Sequence, residues 1–225
     1  MSATLAPFGL RPAYHPSGLD RAQGLANIIE SGYAQNILKG QAVKLDTANT
    51  GYIVRAASGD PIYGVFDGVE WTDTTGRRRV SNCWPSGTAY QAGSLIAYIW
   101  TDPNVVYEIQ AEGSIAQTAL GQEFDITNPY NPTTGDPTLV GLSQATMGTS
   151  AAGANATKTL RVVDLAPYPG NAWGDSYTIV RVQITEFQYA GVYDGSAIQY
   201  PVTVKVYGGL DHGSPTAQYR LSEHR

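Results

Sequence analysis

The chain reads as an all-β protein: a β-sandwich or jelly-roll-like domain over residues 26–225, preceded by an extended N-terminal arm over residues 1–25. Three observations predict this. Strand-like stretches rich in Val, Ile, Thr and Tyr succeed one another from about Ile28 to Tyr207, with turn signals roughly every 8 to 12 residues. The 25 glycines and 15 tyrosines suit turns and half-buried pleated surfaces rather than helices. The connections are long and polar rather than uniformly tight, which favours Greek-key or jelly-roll crossing, and no internal repeat of fixed period is visible.

The arm comes first. Pro7, Pro12 and Pro16, with Gly9, Gly18 and Gly24, disfavour a helix and a central strand position. Yet Leu5, Phe8, Leu10, Tyr14 and Leu19 are too many apolar groups for a solvated tail. Two placements would bury them: across the surface of a neighbouring molecule, or against the chain's own domain.

Strand signals become regular from Asn36. Residues 40–45 (GQAVKL) alternate, residues 46–51 (DTANTG) supply a turn, and residues 52–57 complete a hairpin. After the turn at residues 58–61 (SGDP), residues 62–71 (IYGVFDGVEW) form a longer strand. Gly64 and Gly68 within it mark a bulge or a close approach by another backbone. Residues 77–84 (RRRVSNCW) follow. Residues 95–101 (LIAYIWT) are nearly continuous apolar, as in a strand covered on both faces. The turn Asp102, Pro103, Asn104 then leads into residues 105–111 (VVYEIQA), and the two runs together read as the clearest hairpin in the chain.

Residues 114–121 (SIAQTALG) fit a short helix or a strand equally. Residues 121–127 read as a strand, residues 128–137 (NPYNPTTGDP) as turn chemistry, and residues 138–144 as another strand. Residues 147–157 (MGTSAAGANAT) are small and uncharged, a flexible-loop composition. Residues 158–165 resume the strand pattern, residues 177–187 (YTIVRVQITEF) alternate best of all, and residues 201–207 (PVTVKVY) form a last strand.

Bulk properties narrow the function classes. A net charge of −5 and a pI near 5.1 argue against nucleic-acid binding, where a basic footprint supplies most of the affinity. Charged residues amount to only 15%, so uncharged polar groups, Gly and Tyr are expected to cover the outside, with a partner as a further candidate cover. The single Cys83 permits no intramolecular disulfide, in keeping with a reducing cytoplasm. The N-terminus shows no basic segment leading into an apolar one, so no secretory signal is expected. No apolar run approaches the roughly 18 residues of a membrane helix.

A search for chemistry finds none with a specific signature. His15, His212 and His224 stand in no metal-ligand spacing. Cys83, between Asn82 and Trp84, reads as a small buried hydrophobe. Asp67 with Glu70, or Glu108 with Glu112, would be the carboxylate pairs of a glycosidase if they faced each other across a cleft. Spacing along one strand does not establish that reach, and the catalytic reading ranks last. No cofactor or metal is expected. The sequon at Asn155 matters only in a secreted protein.

Two features point to surfaces instead. Trp100 sits in an apolar run and belongs to the core, whereas Trp71, Trp84 and Trp173 adjoin turns. Half-exposed there, they would anchor a protein interface or, as the second choice, stack on a sugar. Arg77, Arg78 and Arg79 form the one charge cluster in an acidic chain. Either they blunt a sheet edge against unwanted pairing, or they pair with an acidic partner surface.

The stretches GQAVKLDTANTGYIVRAASGDPIYGVFDGVEW, TGRRRVSNCWP and AYIWTDPNVVYEIQAEGSIAQTALGQEFDI resemble head proteins of tailed bacteriophages. The likeness is to the decoration, or cement, proteins on the outside of an icosahedral shell, and it covers roughly residues 26–187. It lies in overall phrasing rather than in a diagnostic motif. The resemblance implies a β-sandwich protein without catalytic residues. It would be made in the host bacterial cytoplasm, located on the outer surface of the virion capsid, and bound to the phage major capsid protein. It implies a homotrimer at threefold positions, or a dimer at twofold ones. The alternative is a carbohydrate- or receptor-binding module of a tail fibre.

Overall fold

The structure, a computed structural model, describes residues 4–18, 21–127, 140–153 and 156–188. The chain is all-β: among the described residues the one named helical element is a 3-10 turn, Gln117–Ala119. The readings on residues 128–139 and 201–207, and on Leu19, Asn155, His212 and His224, lie outside the described residues.

Two six-stranded sheets make up the framework. The first runs β1 (Arg11–Tyr14), β10 (Val106–Gln110), β14 (Ile179–Ile184), β13 (Leu160–Leu165), β11 (Glu123–Thr127), β12 (Thr146–Ala151), antiparallel throughout. The second runs β2 (Gln23–Ala26), β9 (Ile96–Trp100), β6 (Gly64–Thr72), β4 (Ala42–Leu45), β5 (Ile53–Arg55), with β7 (Arg78–Ser81) also paired to β6. A small ribbon joins β3 (Ile37–Leu38) to β8 (Cys83–Trp84).

One core cluster takes residues from both sheets: Ala42, Ala56 and Val65 from the second meet Tyr107, Ile109, Val162 and Val182 from the first. The opposite face of the second sheet is buried as well. There Val43, Ile53, Phe66 and Ile99 pack with Ile29, Ile37, Trp84 and Leu95. The second sheet is therefore a middle layer: most of β6 is buried on both faces, while β9, read as covered on both, alternates between fully buried and half-buried residues.

The expected close approach at Gly64 is present. A Cβ there would lie 2.5 Å from the Trp100 carbonyl oxygen, so only glycine lets β6 and β9 meet. The register of β6 against β9 slips between Phe66 and Gly68, the expected bulge. The hairpin of β4 and β5 also forms as expected, with Lys44 opposite Val54.

Other expectations are corrected. β9 and β10 are not a hairpin. The Asp102 carboxylate does cap the turn, accepting from the Asn104 amide at 2.8 Å. But β9 already has β2 and β6 on its two sides, so the chain crosses to the other sheet, where β10 pairs with β1 and β14. The small-residue stretch from Met147 is not a loop at its start: β12 pairs with β11, and Thr146 and Met147 are buried. Past Val140 the expected strand reduces to an isolated bridge between Leu142 and Lys39.

The N-terminal segment docks on its own domain, contributing β1 to one sheet and β2 to the other. Leu10 is 1% exposed within the shared core. The buried Gln110 holds the segment by its backbone: it accepts from the Ala6 amide at 2.8 Å and donates to the Thr4 carbonyl at 2.9 Å.

Candidate functional site

The densest polar constellation lies on the outer face of the first sheet. Arg11, Glu108 and Arg181 stand opposite one another in register across β1, β10 and β14, and Asp164 of β13 faces Arg181. The result is a row of alternating charge: Arg11 meets Glu108 at 2.7 Å, Arg181 meets Glu108 at 3.5 Å and Asp164 at 3.8 Å. The Tyr168 hydroxyl also donates to Glu108. Burial would raise the Glu108 carboxyl, but the hydrogen bond from Tyr168, the hydrogen bond and charge of Arg11 and the charge of Arg181 outweigh it and hold the group below its ordinary range.

Aromatic rings complete this face. The Arg11 guanidinium lies 4.6 Å from the Phe8 ring centre and 5.7 Å from that of Tyr168, and Arg181 lies 5.3 Å from Tyr14. Leu5 and Tyr14 remain 51% and 41% exposed. Of the apolar arm residues expected at an interface, Phe8 and Tyr14 thus lie beside this row, Leu5 is exposed between the two residues that Gln110 holds, and Leu10 is withdrawn into the core. Beneath Phe8 and Pro12 opens a cleft of about 140 Å³ that also touches Val65, Trp100 and Leu142, with Lys39 and Asp67 paired at 2.8 Å along its lining.

The arginine cluster lies on the second sheet, Arg78 and Arg79 in β7 and Arg77 just before it. The turn before it is built by Asp73, whose carboxylate accepts from Thr75 Oγ1 at 2.6 Å, the Thr75 amide at 2.9 Å and the Arg77 amide at 3.0 Å. The hydrogen bond from the Thr75 hydroxyl leads the causes that hold Asp73 below its ordinary pKa, with the Arg77 amide and the Arg79 side chain adding to it. Arg78 pairs with Glu70, and Arg79 with Asp73 at 2.9 Å. Among the described residues Arg77 has no side-chain partner. Both sequence-based readings of the cluster place it at a sheet edge, and β7 is one.

Two of the tryptophans part company with expectation. Trp84 is fully buried and Trp71 nearly so, edge-to-face with each other at 5.4 Å, and Tyr90 packs on Trp84 at 6.0 Å. Proximity to a turn misleads here because segments on either side of the β3–β8 ribbon fold over the second sheet and cover both rings. Trp71, 7% exposed, borders a shallow opening with Glu70, Thr72, Arg78, Ser94 and Ile96. Trp173 packs partly buried against the shared core, as does Trp100.

The candidate carboxylates have separate surroundings. Asp67 binds Lys39 and Glu70 binds Arg78, on separate partners. Glu108 is engaged in the charge row, and Glu112 is exposed. His15 is held by Ser17 and lies 3.2 Å from Asp102, and Cys83 is buried. Among the described residues no group of three or more His, Cys, Asp or Glu is placed to hold a metal ion, and no helix is long and apolar enough to cross a membrane.

Only local signals were available for this surface. The row of Arg11, Glu108, Arg181 and Asp164 depends on strand register, and Tyr168 enters it from a loop.

No protein-family model, no curated protein and no solved structure matches the chain.

Proposed function

We propose that the protein is a structural decoration protein that binds the outer surface of a tailed-phage head and stabilises it by bridging neighbouring major capsid protein subunits. The observation that carries this reading is the outer face of the first sheet. Arg11, Tyr14, Tyr168 and Arg181 are residue types enriched in binding hot spots; Arg11, Tyr14 and Arg181 are set on strands, and Phe8 and Tyr168 pack against Arg11 from outside them. Their charges are already matched by Glu108 and Asp164, so a partner can cover them without stranding a bare ion. The resemblance to head decoration proteins agrees with this surface. An oligomer presenting several such faces multiplies modest single contacts into durable attachment.

The test is cosedimentation with heads of the parent phage prepared without the protein. Leu5→Ser with Tyr14→Ala should weaken attachment at least tenfold, the scale of about 1–2 kcal/mol per contact face. Arg77→Ala should make attachment less salt-sensitive, since Arg78 and Arg79 are already paired within the molecule. Full occupancy and an unaltered salt response in both variants would exclude this face and this edge as the contacts.

A further inference from the structure

The second sheet ends in two open edges that fit each other. On β7, the Asp73 amide donates to the Arg77 carbonyl at 2.9 Å. Antiparallel alternation then turns the main-chain groups of Arg79 and Ser81 toward β6, and those of Arg78 and Val80 outward. On β2, the Asn27 amide donates to the Leu95 carbonyl at 2.9 Å. By the same alternation Leu25 faces β9, and the main-chain groups of Gly24 and Ala26 face outward. No other strand among the described residues pairs with either edge.

The other edge of this sheet is treated differently. On β5 the outward amides of Ile53 and Arg55 are taken by the Ile28 carbonyl at 2.8 Å and the Tyr33 hydroxyl at 3.2 Å. In the first sheet, β1 carries Pro12, which has no N–H to give. The edge strand β12 has its Met147 carbonyl taken by the Glu112 amide at 2.9 Å, whereas β2 and β7 each present a four-residue row with three residues exposed and no such cover among the described residues.

Direction and pleat also agree. Each step from β7 to β6, β9 and β2 reverses the chain, so β7 and β2 run in opposite directions. A second copy related by rotation about an axis along the strands presents its β2 antiparallel to the first copy's β7. Val80, Glu70, Ile96 and Ala26 lie in one row on one face. The outward-facing residues of both edges point to that same face, so the pleats continue across the junction. Val80, 73% exposed, would then gain a neighbour on the adjoining strand, and the pairing of Arg78 with Glu70 removes the charge that would otherwise oppose strand addition.

We propose that β7 of one copy pairs with β2 of the next, Arg78 opposite Ala26 and Val80 opposite Gly24, so that the second sheet runs on from molecule to molecule and closes as a ring. Such a contact is head-to-tail and leaves neither β2 nor β7 open once the ring closes. That the ring holds three copies rests on the decoration reading above; the edge pairing itself does not.

The test uses the purified full chain without heads. Light scattering should give three times the 24.0 kDa chain mass. Ala26→Cys with Arg78→Cys should form reversible disulfides under mild oxidation and yield a covalent ladder ending at three chains, as opposed residues lie within disulfide reach. Wild type should not, because Cys83 is buried. Val80→Pro removes an outward N–H while sparing the β6 ladder, and should give a folded monomer by circular dichroism. A monomeric wild type, an oligomer that the cysteine pair does not link, or one that Val80→Pro leaves intact would overturn the pairing. A covalent ladder from protein that fails to bind heads would instead leave the pairing standing and remove the decoration role.

Discussion

Replacing Leu10 with alanine tests whether the N-terminal segment is part of the folded body or an appendage. Leu10 is 1% exposed and touches the core shared by both sheets, whereas Leu5, in the same segment, is 51% exposed. Leu→Ala removes a branched group whose burial is worth about 0.8 kcal/mol per carbon, roughly 2.4 kcal/mol in all. The cavity left in a close-packed site raises the expected cost to about 3–4 kcal/mol. Leu5→Ala should stay within about 0.5 kcal/mol of wild type. Urea unfolding followed by tryptophan fluorescence measures both, through the midpoint at constant slope. Equal, small losses for the two variants would refute the docking of this segment and restore a detachable arm.

Gly64→Ala pushes a Cβ to 2.5 Å from the Trp100 carbonyl oxygen and 2.7 Å from Ile99 Cγ2; it should cost about 2–3 kcal/mol and lower the melting temperature, which calorimetry reads. Glu108→Gln leaves Arg11 and Arg181 facing a neutral group and should cost about 1–3 kcal/mol at pH 7. The folded-state pKa of Glu108 lies below its ordinary 4.5. Its contribution is therefore fully present above that value and lost as pH falls through the lower folded one. The gap between wild type and Glu108→Gln should narrow below about pH 4.5; a gap constant down to pH 2 would show that the charge is not what stabilises.

Local chemistry in the sequence carried the strands well and their partners poorly. The β4–β5 hairpin was legible because its alternation and its Asp/Asn/Gly turn are contiguous. Gly64 and Gly68 were legible because glycine inside a strand has few other uses. The turn after β9 was read correctly, yet nothing within residues 95–111 states that β2 and β6 already flank β9. The start of β12 was hidden for a similar reason. Gly148 suits a strand here because a Cβ would sit 3.2 Å from Thr127 Cγ2 and 3.4 Å from the Asp125 carbonyl oxygen, a constraint imposed by β11 and invisible in composition. At the surface, Arg77, Arg78 and Arg79 were found by their clustering. The row through Glu108 was not, because its members come from four strands and meet only in the finished register.

The strand order also dictates a timetable. Every strand of the second sheet lies between Gln23 and Trp100, so that layer is complete before β10 has been synthesised. β1 is made first, but its partner β10 is followed by three more strands before β14 arrives to flank it. At ribosomal speeds of about 5–20 residues per second, β1 waits roughly 5–20 s for β10 alone. During synthesis the middle layer stands bare on the face that the first sheet will cover. That exposure lasts until the strands of the first sheet have followed.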